Sequence, residues 1–223
     1  SLNKELSIFT KEANGIRIVV VDGTPCDALY AGLSLVKKPS LVVSGINLGE
    51  NTSLQNSLYS STIAVALEAS ILNLKAIAIS VDTYRGDELV RNMVLQHILK
   101  MVIESSVKWF LVNDMPKGVA SISINVPLIT DKTHIPRAII APMSKARYRQ
   151  KISILGNKMK FVGEELPLEE GTDSYEVKVN KNISITPLRL CLDAVTPCET
   201  PDLSSIEEFV KFMNQYIEDK LRT

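Results

Sequence analysis

Leu41-Val42-Val43-Ser44-Gly45-Ile46-Asn47-Leu48-Gly49-Glu50-Asn51, followed by Leu58-Tyr59-Ser60-Ser61-Thr62, is the stretch on which the reading of this chain turns. An apolar run feeds a polar loop, and a helical pattern through Ile63, Val65, Ala66, Leu67, Ala69 and Ile71 comes next. That order spells a buried strand, a glycine-bearing loop at its carboxyl end, and a helix start. In open α/β sheets ligands bind at such strand ends, and a helix N-terminus offers backbone N–H groups to an anion. Two asparagines and two hydroxyl residues gathered there, with Gly45 and Gly49 in the same loop, suit a metal-bound phosphate. The same residues also fit a plainer account, in which Asn and Gly shape a loop and Ser60 caps a helix.

Outward from this stretch the first part of the chain alternates strands and helices. Ile16 to Val21 is short, β-branched and stops at Asp22-Gly23. Pro25 fits the first turn of a helix, where its missing N–H is harmless, and that helix carries Ala28, Leu29, Leu33, Leu35 and Val36 toward Lys37-Lys38-Pro39. Leu41 to Ser44 and Ala76 to Ser80 are uninterrupted apolar runs, as expected of strands buried on both faces of a parallel sheet. A helix is predicted from about Glu88 to Glu104, with Val90, Val94, His97, Ile98, Met101 and Val102 on its apolar face. Ala120 to Val126 reads as another strand. The alternation predicts an α/β fold with a Rossmann-like, doubly wound, mostly parallel sheet.

From about Ile135 the character changes. Arg137–Ala141, Lys151–Leu155, Lys158–Val162, Tyr175–Val179 and Ile183–Thr186 are short strand-like runs, and Gly156-Asn157 marks a hairpin turn between two of them. A last helix from Ser204 to about Leu221 presents Ile206, Phe209, Val210, Phe212, Met213, Tyr216 and Ile217 on one face, with Glu207-Glu208 in its first turn. Residues 1–134 are therefore expected to form the core and 135–223 a β-rich extension with a hairpin arm and a terminal helix.

The spacing SGIN-x-G-x-N, then LYS-x-T and an Ala-rich helix, resembles the SurE family of metal-dependent nucleotide phosphatases. Further segments resemble that family in its own order: Asp22-Gly23-Thr24-Pro25-Cys26-Asp27, the strand at Ala76–Ser80, Ile122-Ser123-Ile124-Asn125-Val126-Pro127, Gly171-Thr172-Asp173, and Ile183-Ser184-Ile185-Thr186-Pro187-Leu188. The likeness runs from near Ser1 to about residue 192. It implies hydrolysis of nucleoside 5′- and 3′-monophosphates to nucleoside and phosphate with a divalent metal, Mg or Mn. It also implies that Asn47 is a metal ligand and that Asn51, Ser60 and Thr62 contact phosphate, with Gly45 and Gly49 in the phosphate-binding loop. Members of the family exchange C-terminal elements between subunits, which implies a homodimer or homotetramer built through the C-terminal arm and helix.

Two departures accompany the likeness. Ser61 stands where the family usually has Gly. The family also opens with a strand ending in Asp-Asp-Gly and a metal-binding Ser, and Ser1-Leu2 aligns just downstream of that serine. The expected unit is a strand–helix–strand of roughly 30 or more residues, and the catalytic carboxylates belong to it. Either it lies outside this sequence or the chemistry has been lost.

Composition sets the outer bounds. The chain has 223 residues, 45% of them apolar, and 25 Lys and Arg balance 25 Asp and Glu. No net field draws nucleic acid or an anionic membrane, and no apolar run nears the ~20 residues of a membrane span. Cys26, Cys191 and Cys198 form no C-x-x-C pair, which argues for free thiols and a reducing cytoplasm over a disulfide framework or zinc knuckle; a Cys191–Cys198 bridge is the weaker reading.

Other candidate groups read as structural. His97 fits a packed helix position and His134 a solvated loop, so a His-based zinc hydrolase is disfavoured. Cys26 sits at a helix start, where a dipole lowers a thiol pKa, yet no Arg lies near it to complete a phosphate-cradling cysteine loop. Asp22 and Asp27 cap and brace their turn. Lys145, Arg147, Arg149 and Lys151 alternate with Ala146, Tyr148 and Gln150, an arrangement that fits a solvated strand face or oligomer contact, or a steering surface with Tyr148 against a base. Glu164-Glu165 and Glu169-Glu170 flank Pro167 in an expected acidic loop that answers those cations across a subunit boundary. The leading functional expectation is a cytoplasmic nucleoside monophosphate phosphatase. A non-catalytic nucleotide or phosphate sensor, an inactive fragment and a structural oligomerisation protein are the alternatives.

Overall fold

Asn14-Gly15 opens the structure with a tight hairpin. A computed structural model describes residues 1–223 except 37, 132, 192, 194–196 and 223, so the predicted Lys37 and Lys132 positions and the end of the likeness at residue 192 lie outside the described residues. β1 (Ile8–Ala13) and β2 (Ile16–Val21) pair antiparallel. Both turn residues take positive φ, 54° at Asn14 and 75° at Gly15, the conformation that two-residue hairpins favour. The expectation that β2 would open the parallel sheet is corrected: it is bound to β1 in a two-stranded sheet of its own.

α1 (Pro25–Leu35) begins at Thr24 with a capping box. Asp27 N–H donates to Thr24 Oγ1 at 3.3 Å, and Thr24 N–H donates to the Asp27 carboxylate at 2.7 Å, so Asp27 braces its turn as expected. β3 (Val42–Leu48) follows, then an unpredicted short helix α2 (Ser53–Tyr59) and α3 (Ser61–Ile71). After β4 (Ala76–Val81) the predicted single helix is two, α4 (Gly86–Arg91) and α5 (Met93–Val112). Asn92 makes the break. Its Oδ1 accepts from Leu95 N–H at 3.0 Å and its Nδ2 donates to the Ile129 carbonyl at 2.8 Å, so it caps a new helix.

β5 (Ser121–Val126), β6 (Ala138–Ile140), the hairpin β7 (Tyr148–Leu155) with β8 (Lys158–Glu165), α6 (Asp173–Lys178), β9 (Ile183–Leu188) and α7 (Leu203–Arg222) complete the chain. The strand predicted at Tyr175–Val179 is corrected to α6. Asp173, its first residue, accepts N–H bonds from Ser53, Ser144 and Ser174, and this anchored turn overrides the local β propensity. Glu164 and Glu165 are likewise not in a loop but end β8, and Lys151 answers Glu164 at 2.7 Å within the same hairpin.

The central sheet has the order β3-β4-β5-β9-β6. All neighbours run parallel except β5 and β9. β6 and β9 lie beyond residue 134, so the N- and C-terminal segments share this one sheet. The alternation along β4 explains the helices on both faces. Ala76 and Ala78 are small enough to let α3 approach through Ile63, Ala66 and Ala69. Ile77, Ile79 and Val81 point the other way, into the core with Leu95, Leu99 and Val102 of α5. The apolar face of α7 closes that side, with Phe209 5.0 Å from the ring of Phe110. Cys191 and Cys198 are joined as a disulfide, their Cα atoms 6.2 Å apart, within ordinary bridging reach; this corrects the expectation of free thiols at both positions.

Candidate functional site

The carboxyl ends of β3, β4 and β5 gather the polar residues that the sequence singled out. A pocket of about 250 Å³ opens there, lined by Asn47 at the end of β3, by Gly49, Glu50 and Asn51 of the loop after it, by Tyr59 at the end of α2 and by Ser60 and Ser61 at the α3 start. Tyr84, from the loop after β4, and Tyr148 complete the wall. Asn47, Asn51, Ser60 and Gly49 are therefore brought together. Gly45 and Thr62 are not part of the lining. Thr62 is buried in the first turn of α3, and Gly45 serves the strand itself: at φ +119° a Cβ would lie 2.2 Å from the Ile79 carbonyl.

Each side chain is held by a nameable contact. Asn51 is fixed at both ends, its N–H donating to Asn125 Oδ1 at 2.8 Å and its Nδ2 to Ser80 Oγ at 2.7 Å. Asn125 belongs to the INVP strand and Ser80 to β4, so the sheet itself positions the loop. Asn47 Nδ2 donates to the Gly49 carbonyl at 2.7 Å; the amide oxygen is the atom that a cation would take. Ser60 accepts from Ile63 N–H at 3.2 Å as the N-cap of α3. The amides of Ser61 and Thr62 precede the first intrahelical bond, from Ala64 N–H to the Ser60 carbonyl, and suit an anion.

Beneath the pocket lies a charge cluster that sequence reasoning missed. Glu50 is sealed from solvent and faces Arg147 at 3.5 Å and Lys178 at 3.7 Å. Lys178 also meets Asp82 at 2.5 Å, and Arg147 meets Glu165 at 3.3 Å. Tyr84 donates its hydroxyl to Glu50 Oε2 at 2.7 Å. Arg147 is thus corrected from a solvated strand face to a buried ion pair, whereas Lys145, Arg149 and Lys151 stay exposed. The reason is that Arg147 precedes β7 and turns inward. Burial pushes the Asp82 carboxyl up in spite of Lys178. Burial opposes the Lys178 ammonium, but the Asp82 hydrogen bond and the Glu50 charge outweigh it and hold its pKa above 10.5. The only sequence signal for this cluster was the alternation that contained Arg147.

The remaining candidates fall away from the site. His97 and His134 line a separate, mainly apolar pocket with Met93, Ile98 and Leu221; His97 is exposed rather than packed, and His134 Nε2 lies 3.0 Å from the Lys181 carbonyl. Cys26 carries a raised thiol pKa because it is partly buried and faces Glu68 and Asp27, which removes the activated-thiol reading.

The implied divalent cation meets an incomplete donor set. Asn47 supplies one amide oxygen, Glu50 is consumed by Arg147, Lys178 and Tyr84, and among the described residues no three His, Cys, Asp or Glu side chains converge. A hard cation takes six or more oxygens, carboxylates normally among them, so these residues alone do not fit it.

Comparison with known proteins agrees with the site's sequence pattern. The family model described as "Survival protein SurE" matches residues 1–150. The 5'-nucleotidase SurE of Pyrobaculum arsenaticum is 33% identical over 223 residues, covering 97% of this chain and 83% of that protein. Its counterpart from Hyperthermus butylicus is 34% identical over 229 residues, covering 100% and 79%. The crystal structure of the SurE protein from Aquifex aeolicus superposes with a TM-score of 0.69 at 28% identity, over 87% of this chain and 77% of that one. With the family match spanning most of the chain and the same strand–loop–helix site at its centre, this protein belongs to the SurE family.

Proposed function

We propose that the chain is a 5′-nucleotidase, hydrolysing nucleoside 5′-monophosphates, and 3′-monophosphates as well, to nucleoside and phosphate. The observation that carries the reading is the convergence of Asn47, Asn51 and Ser60 in one pocket at the carboxyl edge of the sheet, in a chain whose relatives are named 5'-nucleotidase SurE. Asn51, tied to Ser80 and Asn125, holds its place before substrate arrives. With the amides at the start of α3 it orients the phosphate oxygens, and donors fixed in advance act most strongly on charge that develops during transfer. Mg or Mn is the proposed cofactor, with Asn47 as one ligand.

We also propose a homodimer or homotetramer, in the cytoplasm. Hairpin β7–β8 exposes Ile152, Ile154, Leu155, Met159 and Phe161, more apolar surface than an isolated hairpin carries to water. The apolar face of α7 is already buried in its own chain, so the arm is the contact that supports this part of the reading.

Phosphate release from AMP, with Mg or Mn and with EDTA, tests the activity. Turnover that EDTA abolishes, and that Asn47→Ala lowers by orders of magnitude, is expected. AMP turnover indifferent to both would overturn the reading.

A further inference from the structure

The pocket's walls carry an aromatic feature that phosphate binding does not require. Tyr84 is 64% exposed, yet its ring is held at two points. Its hydroxyl donates to the sealed Glu50 carboxylate at 2.7 Å. Its ring edge lies on Gly49, where a Cβ would come within 2.4 Å of Cε1. A glycine at φ +101° therefore leaves room for the ring to lie against the loop backbone. A large apolar ring that is fixed and yet open to solvent is a preformed stacking surface. Tyr148 lines the same pocket. Its backbone N–H donates to Gln55 Oε1 at 3.0 Å and its ring lies 5.4 Å from the Arg147 guanidinium, so it too is braced.

The charge of the pocket points the same way. Among the described residues its lining holds no Lys or Arg, and its one acidic residue, Glu50, is neutralised from below. Such a pocket suits a single phosphate carried by something apolar and flat better than a polyanion. We propose that Tyr84 is the platform on which the nucleobase of a nucleoside monophosphate stacks, with Tyr148 as the second aromatic wall. This rests on the nucleotidase reading and adds the part of the substrate that is recognised. Tyr84 acts on the base, at a distance from the reacting phosphorus, and so sets affinity rather than the chemical step.

Calorimetric titration of AMP and of ribose 5-phosphate into the full chain, with EDTA present so that neither ester is turned over, tests the proposal. The two ligands share the phosphate and the sugar and differ in the base. AMP is expected to bind about tenfold tighter, within the range that one stacked base contributes. Tyr84→Leu should bring that ratio close to one, and Tyr84→Phe should keep most of it, because the ring remains when the hydroxyl goes. Tyr148→Leu should narrow the ratio in the same direction. An AMP to ribose 5-phosphate ratio near one in the unaltered chain overturns the proposal, as does a ratio that survives both leucine variants. Ribose 5-phosphate binding without base discrimination leaves the phosphate site intact and removes the platform alone. Absence of binding by either ligand removes both.

Discussion

Nε of Arg147 stands 3.5 Å from Oε1 of Glu50, and neither side chain is more than 1% exposed. The pair joins the phosphate loop to the root of the β7–β8 hairpin. Removing Arg147 leaves the sealed Glu50 carboxylate only Lys178, which Asp82 shares, and breaking a buried pair typically destabilises by about 3–5 kcal/mol. Arg147→Met is expected to show a loss of that order in urea denaturation. The double variant Glu50→Gln with Arg147→Met should recover much of it. A loss below about 1 kcal/mol for Arg147→Met, as for a surface pair, would mean that the contact is idle.

Asn125 holds the loop from the other side. Asn125→Ala leaves the buried Asn51 N–H without its 2.8 Å acceptor, a loss of about 1–3 kcal/mol. Because Asn51 then drifts from its place in the pocket, KM for AMP should rise together with the fall in stability. Ser80→Ala removes the acceptor for the Asn51 side chain alone and should raise KM with a smaller stability change. Unaltered KM in both variants would argue that Asn51 does not touch substrate.

Gly45→Ala is expected to be far more damaging than its one methyl group suggests. At φ +119° the new Cβ would sit 2.2 Å from the Ile79 carbonyl oxygen, and backbone on a central strand has no easy way to retreat. A loss of about 3 kcal/mol or more is expected, from steric overlap added to left-handed strain. Thermal unfolding of the purified variant, or its failure to accumulate as folded protein, reads this out.

Alkaline pH should weaken the fold through Lys178. Its pKa is raised above the ordinary 10.5, so over that window the folded chain binds more protons than the unfolded one, and stability falls as pH rises. The contribution is fully present below 10.5 and is lost as pH passes through the folded value. Tyr84, also raised from its usual 10.0 because its hydroxyl end is partly desolvated and bonded to Glu50, acts in the same direction. Urea midpoints near pH 8 and about pH 11.5 should therefore fall more steeply for the unaltered protein than for Lys178→Met. Equal slopes would remove Lys178 from the account.

What could be read in the sequence was what short-range pattern controls. Ala76–Ile79 is an unbroken apolar run because both faces of β4 are covered, and Ser60 caps α3 with nothing more than its own hydroxyl. α2 escaped because Ser53-Leu54-Gln55-Asn56-Ser57 has almost no apolar face; its first residue is held by Asp173, 120 positions away. The Tyr175–Val179 run misled for the same reason, since Asp173 starts a helix through partners distant in sequence. Asn47, Asn51 and Ser60 were legible because strand, loop and cap are adjacent in sequence. Glu50 and Arg147 were not, because 97 positions separate them and only the fold brings them together.

The cluster under the pocket also constrains how such a chain can change over generations. Glu50 faces two cations, and one of these also serves Asp82. A lone replacement at 50, 147 or 178 leaves an unmatched charge in the interior, whereas a paired replacement does not. These positions should therefore vary as a set, and related sequences lacking the glutamate should lack at least one of the basic partners as well. The exposed lysines of the hairpin, whose charges water can solvate, should drift one at a time.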